Sequence, residues 1–327
     1  MTSFREEDLQ SLNGKELAPG IVLIRPMTRR NLTSNSLLFL DETKLIIDSG
    51  FQFNTGQLQK LNDIINPDIL LFSHYHLDHV FGSHEFSNTK KKIHSSEISP
   101  FSSLDNFLKF CYHDVAISKE MTEIWKKRLH FFLDLENLSD WKELTLDSVE
   151  PFERTDTFDL GDMKIHVLHL PGHSPGHCGF YESTNSILFI GDLDISKALF
   201  AWYGWKNSDL GKFRSSVLEL KRFIENKKIP IIVPSHSRPV SNDESIARLE
   251  ALYNVFDYRK NQILNFVANK RKGTSISEIA KQSFIYQGRK SDPPFVWELF
   301  EKIHIEKHVE ELLKEGSLKK EGSLVFV

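Results

Sequence analysis

Between residues 74 and 79, His74, His76, Asp78 and His79 place three imidazoles and one carboxylate in a single short stretch. Imidazole nitrogen and carboxylate oxygen are the usual non-thiolate ligands of zinc and similar divalent ions, and a catalytic site keeps one position open for water. The donors follow directly on Ile69-Leu70-Leu71-Phe72, an apolar run preceded by the turn residues Asn66-Pro67-Asp68, which reads as a buried strand. If extended geometry continues through the motif, His74 and His76 share a face, because side chains two apart in a strand point the same way. Asp78 and His79 then follow on a turning loop, within reach of a second ion. The bland alternative is a cluster of unliganded, mutually repelling imidazoles.

Two ions need more donors than one loop holds, and later strand ends supply them. The alternating segment Met163 to Leu170 stops at Pro171-Gly172-His173-Ser174-Pro175-Gly176-His177. The apolar run Ser186 to Ile190 ends in Gly191-Asp192-Leu193-Asp194, and Ile229 to Val233 ends in Pro234-Ser235-His236-Ser237. Metal-competent residues thus recur at the carboxyl ends of strands, where the loops of an α/β scaffold build active sites.

This set resembles the metallo-β-lactamase superfamily, through the HxHxDH motif at 74 to 79, the glycine-flanked His173, the Gly-Asp that includes Asp192, and the strand-end His236. The resemblance covers roughly residues 20 to 240. It implies an α/β fold, an αββα sandwich, in which His74, His76 and His173 hold one metal, Asp78, His79 and His236 the other, and Asp192 bridges them. The implied cofactors are two divalent ions, zinc first, with iron or manganese as alternatives; diiron relatives that reduce oxygen carry Glu at the position of His76, so His favours zinc. Leu45-Ile46-Ile47-Asp48-Ser49-Gly50 resembles the family's early strand, whose Asp supports the ligands from behind. Two such ions bring a shared water toward neutrality, so that hydroxide serves as nucleophile without a Ser or Cys, and they polarise the carbonyl or phosphoryl oxygen. Asp78, placed to orient that hydroxide, is the candidate catalytic residue.

The other histidines and Asp194 weigh differently. His177 reads as an orienting or packing residue, His166 and His169 as packing or solvent-facing, and His84 as a loop residue or a substrate contact. His94, His113, His130, His304 and His308 match nothing, and Asp194 reads as a loop cap or an acceptor behind the ligands.

The 327 residues are enough for one large domain and a small one. Charged residues make up 26% and hydrophobic ones 40%, ordinary for a globular protein, and a net charge of -4 gives no general attraction to nucleic acid or anionic membrane. Cys111 and Cys178 lack disulfide or metal spacing, which suggests a reducing compartment. The acidic start has no apolar core like that of a secretory signal, and no stretch approaches membrane-spanning length. A cytoplasmic enzyme with no membrane partner is the expectation.

Short apolar runs at Ile21 to Ile24, Ser36 to Leu40 and Lys44 to Ile47 read as strands, and Gln57 to Ile65 as a helix. The expected catalytic domain is residues 1–240. Within it, residues 85–150 read as a helical, aromatic insertion carrying Phe101, Phe107, Phe110, Tyr112, Trp125, Phe131, Phe132 and Trp141, either a lid over the metals or core packing. Phe200-Ala201-Trp202-Tyr203-Gly204-Trp205 follows Asp192 and reads as pocket lining. Residues 241–327 give three helices and a β-ribbon, a winged-helix-like outline that resembles, in layout, the module of a lactamase-β-like branch that includes an endoribonuclease. Asn242-Asp243 is the expected cap of its first helix. Lys270, Arg271, Lys272, Arg289, Lys290, Lys319 and Lys320 could meet phosphates, but a Glu-rich helix from Phe295 to Glu315 suits packing, dimerising or lining a pocket better.

Three functions follow. The first is a dinuclear metal-dependent hydrolase of a small ester, thioester or lactone. The second is a metallo-endoribonuclease of single-stranded RNA, and the third an iron-dependent, non-hydrolytic oxidoreductase on the same scaffold.

Overall fold

The computed structural model describes residues 5–28, 33–51, 55–112, 119–146, 148–193, 196, 201–288 and 295–327. After helix α1 (Glu6–Ser11), strands β1 (Gly14–Ala18), β2 (Ile21–Ile24), β3 (Ser36–Phe39), β4 (Leu45–Ile47), β5 (Ile69–Leu71), β6 (Lys90–His94) and β7 (Glu150–Phe152) lie in sequence order as one seven-stranded sheet. The first four pair antiparallel. Pairing turns parallel from β4 onward, once a crossover, α2 (Gln57–Ile65), separates neighbours. Helices α3 (Leu77–Val80), α4 (Leu104–Tyr112) and α5 (Lys119–Leu135) precede β7.

A second sheet runs β12-β11-β10-β9-β8, formed by β8 (Thr157–Asp159), β9 (Lys164–His169), β10 (Cys178–Glu182), β11 (Ile187–Phe189) and β12 (Ile231–Val233). Its one parallel pair, β11 with β12, is joined across α6 (Leu210–Lys227). The sequence reading passed over α6, although Leu210, Phe213, Val217, Leu220 and Ile224 recur at helical spacing behind an Asp209 cap.

Alternation along the strands explains why the sheets stack. In β2 all four residues are buried. Ile21 and Leu23 pack with Phe180 and Phe189 between the sheets, while Val22 and Ile24 pack outward with Leu58 and Leu61 of α2. On the far side, Leu188 and Ile232 meet Phe213 and Val217 of α6. Helices therefore cover both outer faces of a two-sheet core, the αββα sandwich expected from sequence. Among the described residues no helix is long and apolar enough to cross a membrane.

Beyond the second sheet come α7 (Asn242–Ala268), β13 (Thr274–Ser275), α8 (Ile276–Ala280), α9 (Phe295–Lys314), β14 (Lys319–Glu321) and β15 (Leu324–Phe326), with a small sheet ordered β13-β15-β14. The cap of α7 is Ser241, whose Oγ accepts from the Glu244 N–H, rather than Asn242 or Asp243. The Asn242 amide is engaged elsewhere, donating to the carbonyls of Ile224 and Ile229.

Two local readings are corrected. Residues 90–94, inside the stretch read as helical, form β6, which pairs in parallel with β5. Of the aromatic set there, Phe101, Phe107, Phe132 and Trp141 are buried in the core on the outer face of the first sheet, and Phe131 is exposed. Extended geometry does not continue through the HxHxDH motif either. The Phe72 N–H still pairs with Lys92, but the Ser73 N–H turns to the Asp48 carboxylate at 2.7 Å, the Cys178 N–H takes the Ser73 carbonyl, and α3 begins at Leu77.

Phe180, 1% exposed, touches Phe152 of the opposite sheet with ring centroids 5.9 Å apart. Phe180→Ala is expected to cost about 3–5 kcal/mol of unfolding free energy in urea denaturation, the range for emptying a buried aromatic site.

Candidate metal centre

His74 and His79 of the motif, and His173 and His236 beyond it, are each fixed by what the other ring nitrogen touches. The His79 Nδ1–H donates to Asp48 Oδ2 at 2.7 Å. Ser73 Oγ donates to the same oxygen at 2.7 Å and so accepts from His74 Nδ1–H at 3.0 Å. His173 Nδ1–H donates to the Trp202 carbonyl at 2.9 Å, and His236 Nδ1–H to the Thr33 carbonyl at 3.0 Å. In each of the four rings, once it is neutral, the tautomer set this way leaves Nε2 carrying the lone pair. His76 presents Nδ1 instead, 2.9 Å from His74 Nε2 and 3.0 Å from His173 Nε2.

These atoms and the carboxylates converge in two groups. His74, His76, His173 and Asp192 form one, and Asp78, His79, Asp192 and His236 the other, with the donor atoms of each group all within 4.8 Å of one another. Asp192 belongs to both: Oδ2 lies 3.4 Å from His173 Nε2, while Oδ1 lies 3.0 Å from His236 Nε2 and 3.1 Å from His79 Nε2. Asp78 Oδ2 is 3.4 Å from His236 Nε2. All seven residues singled out from sequence are therefore brought together.

The donor chemistry fits a cation. His79 Nε2 and Asp192 Oδ1 are buried and close, yet neither makes an aligned hydrogen bond among the described residues. Buried polar atoms without partners are costly, and a metal between them would satisfy both. The nitrogens of His74, His76 and His173 likewise crowd together with too few protons to share.

Burial, then neighbouring imidazoles, holds His74 and His76 well below the usual histidine pKa, and burial lowers His173, so all three are neutral. The other group is the reverse. Burial alone would lower His79, but Asp192, Asp48 and Asp78 raise it well above the ordinary value. At His236, whose side chain is 35% exposed, desolvation opposes but Asp192 outweighs it and raises the ring to about 9. Burial pushes the Asp192 carboxyl up, but His236 and His79 outweigh it and hold the pKa well below the usual range.

The loops are locked in place. Gly172 adopts φ +128°, and a Cβ there would meet the Phe213 backbone nitrogen at 2.1 Å. The Asn35 amide donates to the carbonyls of Pro234 and Ser237, each at 2.8 Å, clamping the His236 loop. His177, read as an orienting residue, accepts from the Asp192 N–H at Nε2, 2.9 Å, and donates from Nδ1 to the Leu170 carbonyl.

One residue escaped the sequence reading. Glu97 is fully buried, accepts from the Tyr75 N–H at 2.8 Å and the Gly176 N–H at 2.7 Å, and so ties the two histidine loops together. Burial raises its carboxyl to about 7 despite the nearby Ser174 hydroxyl and the hydrogen bonds from the Gly176 and Tyr75 N–H groups. No local pattern marks it, because its partners lie 22 and 79 residues away.

Beside His76 stands an aromatic wall. The Trp205 ring centroid is 5.9 Å from that of His76, and Trp125 of α5, Trp202 and Phe300 of α9 follow at 6.0, 6.2 and 5.2 Å from Trp205. Of the remaining histidines, His169 stacks on His94 at 4.2 Å, His166 stacks on Tyr181, and His84 bonds the Phe81 carbonyl. His113, Asp194, Phe200, Arg289 and Lys290 lie outside the described residues.

Human acyl-coenzyme A thioesterase MBLAC2 is 22% identical over 211 residues, covering 60% of this chain and 69% of that protein. Hydroxyacylglutathione hydrolase GloC of Haemophilus influenzae is 27% identical over 160 residues, covering 48% and 65%. A crystal structure of a metallo-beta-lactamase family protein from Thermus thermophilus shares the fold with a TM-score of 0.65 at 18% identity, over 95% of this chain and 99% of that one. The description of the metallo-beta-lactamase superfamily itself matches residues 29–236, from ahead of the first donor to the last, and the chain belongs to that superfamily.

Proposed function

We propose that this protein is a dinuclear metal-dependent hydrolase of a small thioester. The observation that carries the reading is the convergence of five imidazoles and two carboxylates with four outward ring nitrogens already tied to protein acceptors. His74, His76 and His173 would hold one ion, Asp78, His79 and His236 the other, and Asp192 both; five imidazoles with two carboxylates suit zinc. Two bound divalent ions supply a water acidified toward neutrality and polarise the carbonyl under attack.

The chain's own residues do the rest. Asp78, next to His236, is the group placed to accept a hydrogen bond from the attacking water and orient it. The aromatic wall at His76 offers an apolar face for the acyl portion and keeps bulk water off that side. The choice of a thioester over an ester or lactone is supported by the names of two relatives, an acyl-coenzyme A thioesterase and a hydroxyacylglutathione hydrolase.

A panel of acyl thioesters, lactones, phosphodiesters and single-stranded RNA, run beside metal quantification, tests the reading. Thioesters should turn over fastest with about two ions bound per chain; faster cleavage of RNA sinks it. His76→Ala and Asp192→Ala are each expected to abolish hydrolysis and lower bound metal, and unchanged activity and metal content in either variant refutes the ligand assignment. Trp205→Ala should raise KM by about tenfold, in keeping with about 1–3 kcal/mol for lost apolar substrate contact, while metal content stays at the wild-type level. Parallel loss of metal and activity would instead assign Trp205 a folding role.

A further inference from the structure

We infer that the carboxy-terminal helix α9 is a positioning element of the metal centre, acting through His304 and Tyr203 on the Trp202 carbonyl that sets the tautomer of His173. This rests on the reading of His173 as a ligand.

His173 can offer Nε2 to an ion only while its Nδ1–H has an acceptor, and that acceptor is the backbone oxygen of Trp202 at 2.9 Å. Residues 201–204 belong to no helix or strand. Hydrogen bonds from the last third of the chain fix the groups on either side of this oxygen. The Tyr203 N–H donates to His304 Nε2 at 3.3 Å, and His304 in turn donates from Nδ1 to the Phe300 carbonyl at 2.7 Å, which leaves Nε2 free to accept. Arg259 of α7 donates to the Ala201 carbonyl at 3.2 Å and to the Tyr203 hydroxyl at 2.9 Å, and that hydroxyl reaches His308 Nε2 at 2.8 Å. The Ala201 carbonyl and the Tyr203 N–H, which flank the Trp202 oxygen, are thus fixed by residues 58 and 101 positions away.

The contacts are tight and buried. Tyr203, His304 and His308 are fully buried and Arg259 is 5% exposed. A Cβ on Gly204 would meet His304 Cε1 at 2.9 Å, so the segment lies flat against the helix. Burying a guanidinium and two imidazoles is a costly way to join two helices, for which apolar side chains would serve as well or better. What these polar groups add is direction: their hydrogen bonds converge on residues 201 and 203, immediately either side of the carbonyl that His173 needs.

The test isolates each ion position. His236→Ala leaves the group of His74, His76 and His173, and His76→Ala leaves that of Asp78, His79 and His236. Zinc affinity is measured by chelator competition in both backgrounds with His304→Leu or His304→Gln added, and folding is followed by circular dichroism. His304→Leu should weaken zinc about tenfold in the His236→Ala background, the usual scale for losing a group behind a ligand, and less than roughly twofold in the His76→Ala background. His304→Gln, which restores an acceptor near Nε2, should recover affinity to within about threefold. Tyr203→Phe, which keeps the N–H but removes the hydroxyl held by Arg259 and His308, should give the same selective loss in smaller measure, and it decides the matter if Leu at 304 prevents folding. Equal weakening in both backgrounds, or none in the first, overturns the inference. If the parent chain and both backgrounds bind no zinc at all, it is the metal reading that falls, and this inference with it.

Discussion

A histidine ring has two nitrogens, and one proton between them when neutral. Aiming lone pairs from several rings at one point is therefore helped by an acceptor behind each ring, and at four of the five rings here the protein supplies one. Here the acceptors are the Asp48 carboxylate, the Ser73 hydroxyl and the backbone carbonyls of Trp202 and Thr33. Asp48 does most, because one buried carboxylate sets His79 directly and, through Ser73, His74 as well. It adopts φ +57°, a conformation that lets the chain leave β4 and bring the carboxylate under the next strand end.

The two-sheet core makes this arrangement rigid. Strand ends of both sheets deliver donors to one edge, and cross-links between the loops hold them there: Glu97 joins the Tyr75 and Gly176 loops, Asn35 clamps the His236 loop, and the Ser73 carbonyl receives an N–H from β10. Polar residues that look incidental in sequence thus carry much of the geometry.

What was legible in sequence was local. The seven donors stand at strand ends with type and spacing visible along the chain, and β2 and α2 follow from short-range patterns that the fold reproduces at Ile21–Ile24 and Gln57–Ile65. Boundaries slipped where side chains replaced backbone partners, as at Ser73, and where a better cap lay one residue earlier, as at Ser241. Glu97, Arg259 and His304 were invisible because their partners lie tens of residues away, and His304 and His308, which match no motif, owe their environment to packing between α9 and the 201–204 segment.

Helix α7 has a wider consequence. Its 27 residues run unbroken, with Leu249, Leu252 and Phe256 sunk in the core beneath the second sheet and Ile263 and Val267 in the carboxy-terminal core. A rod about 40 Å long, anchored at either end in a different apolar cluster, leaves no joint about which the two clusters can swing. Melting of either one strips a face of the shared rod, so heat or denaturant should collapse both together rather than peel one away.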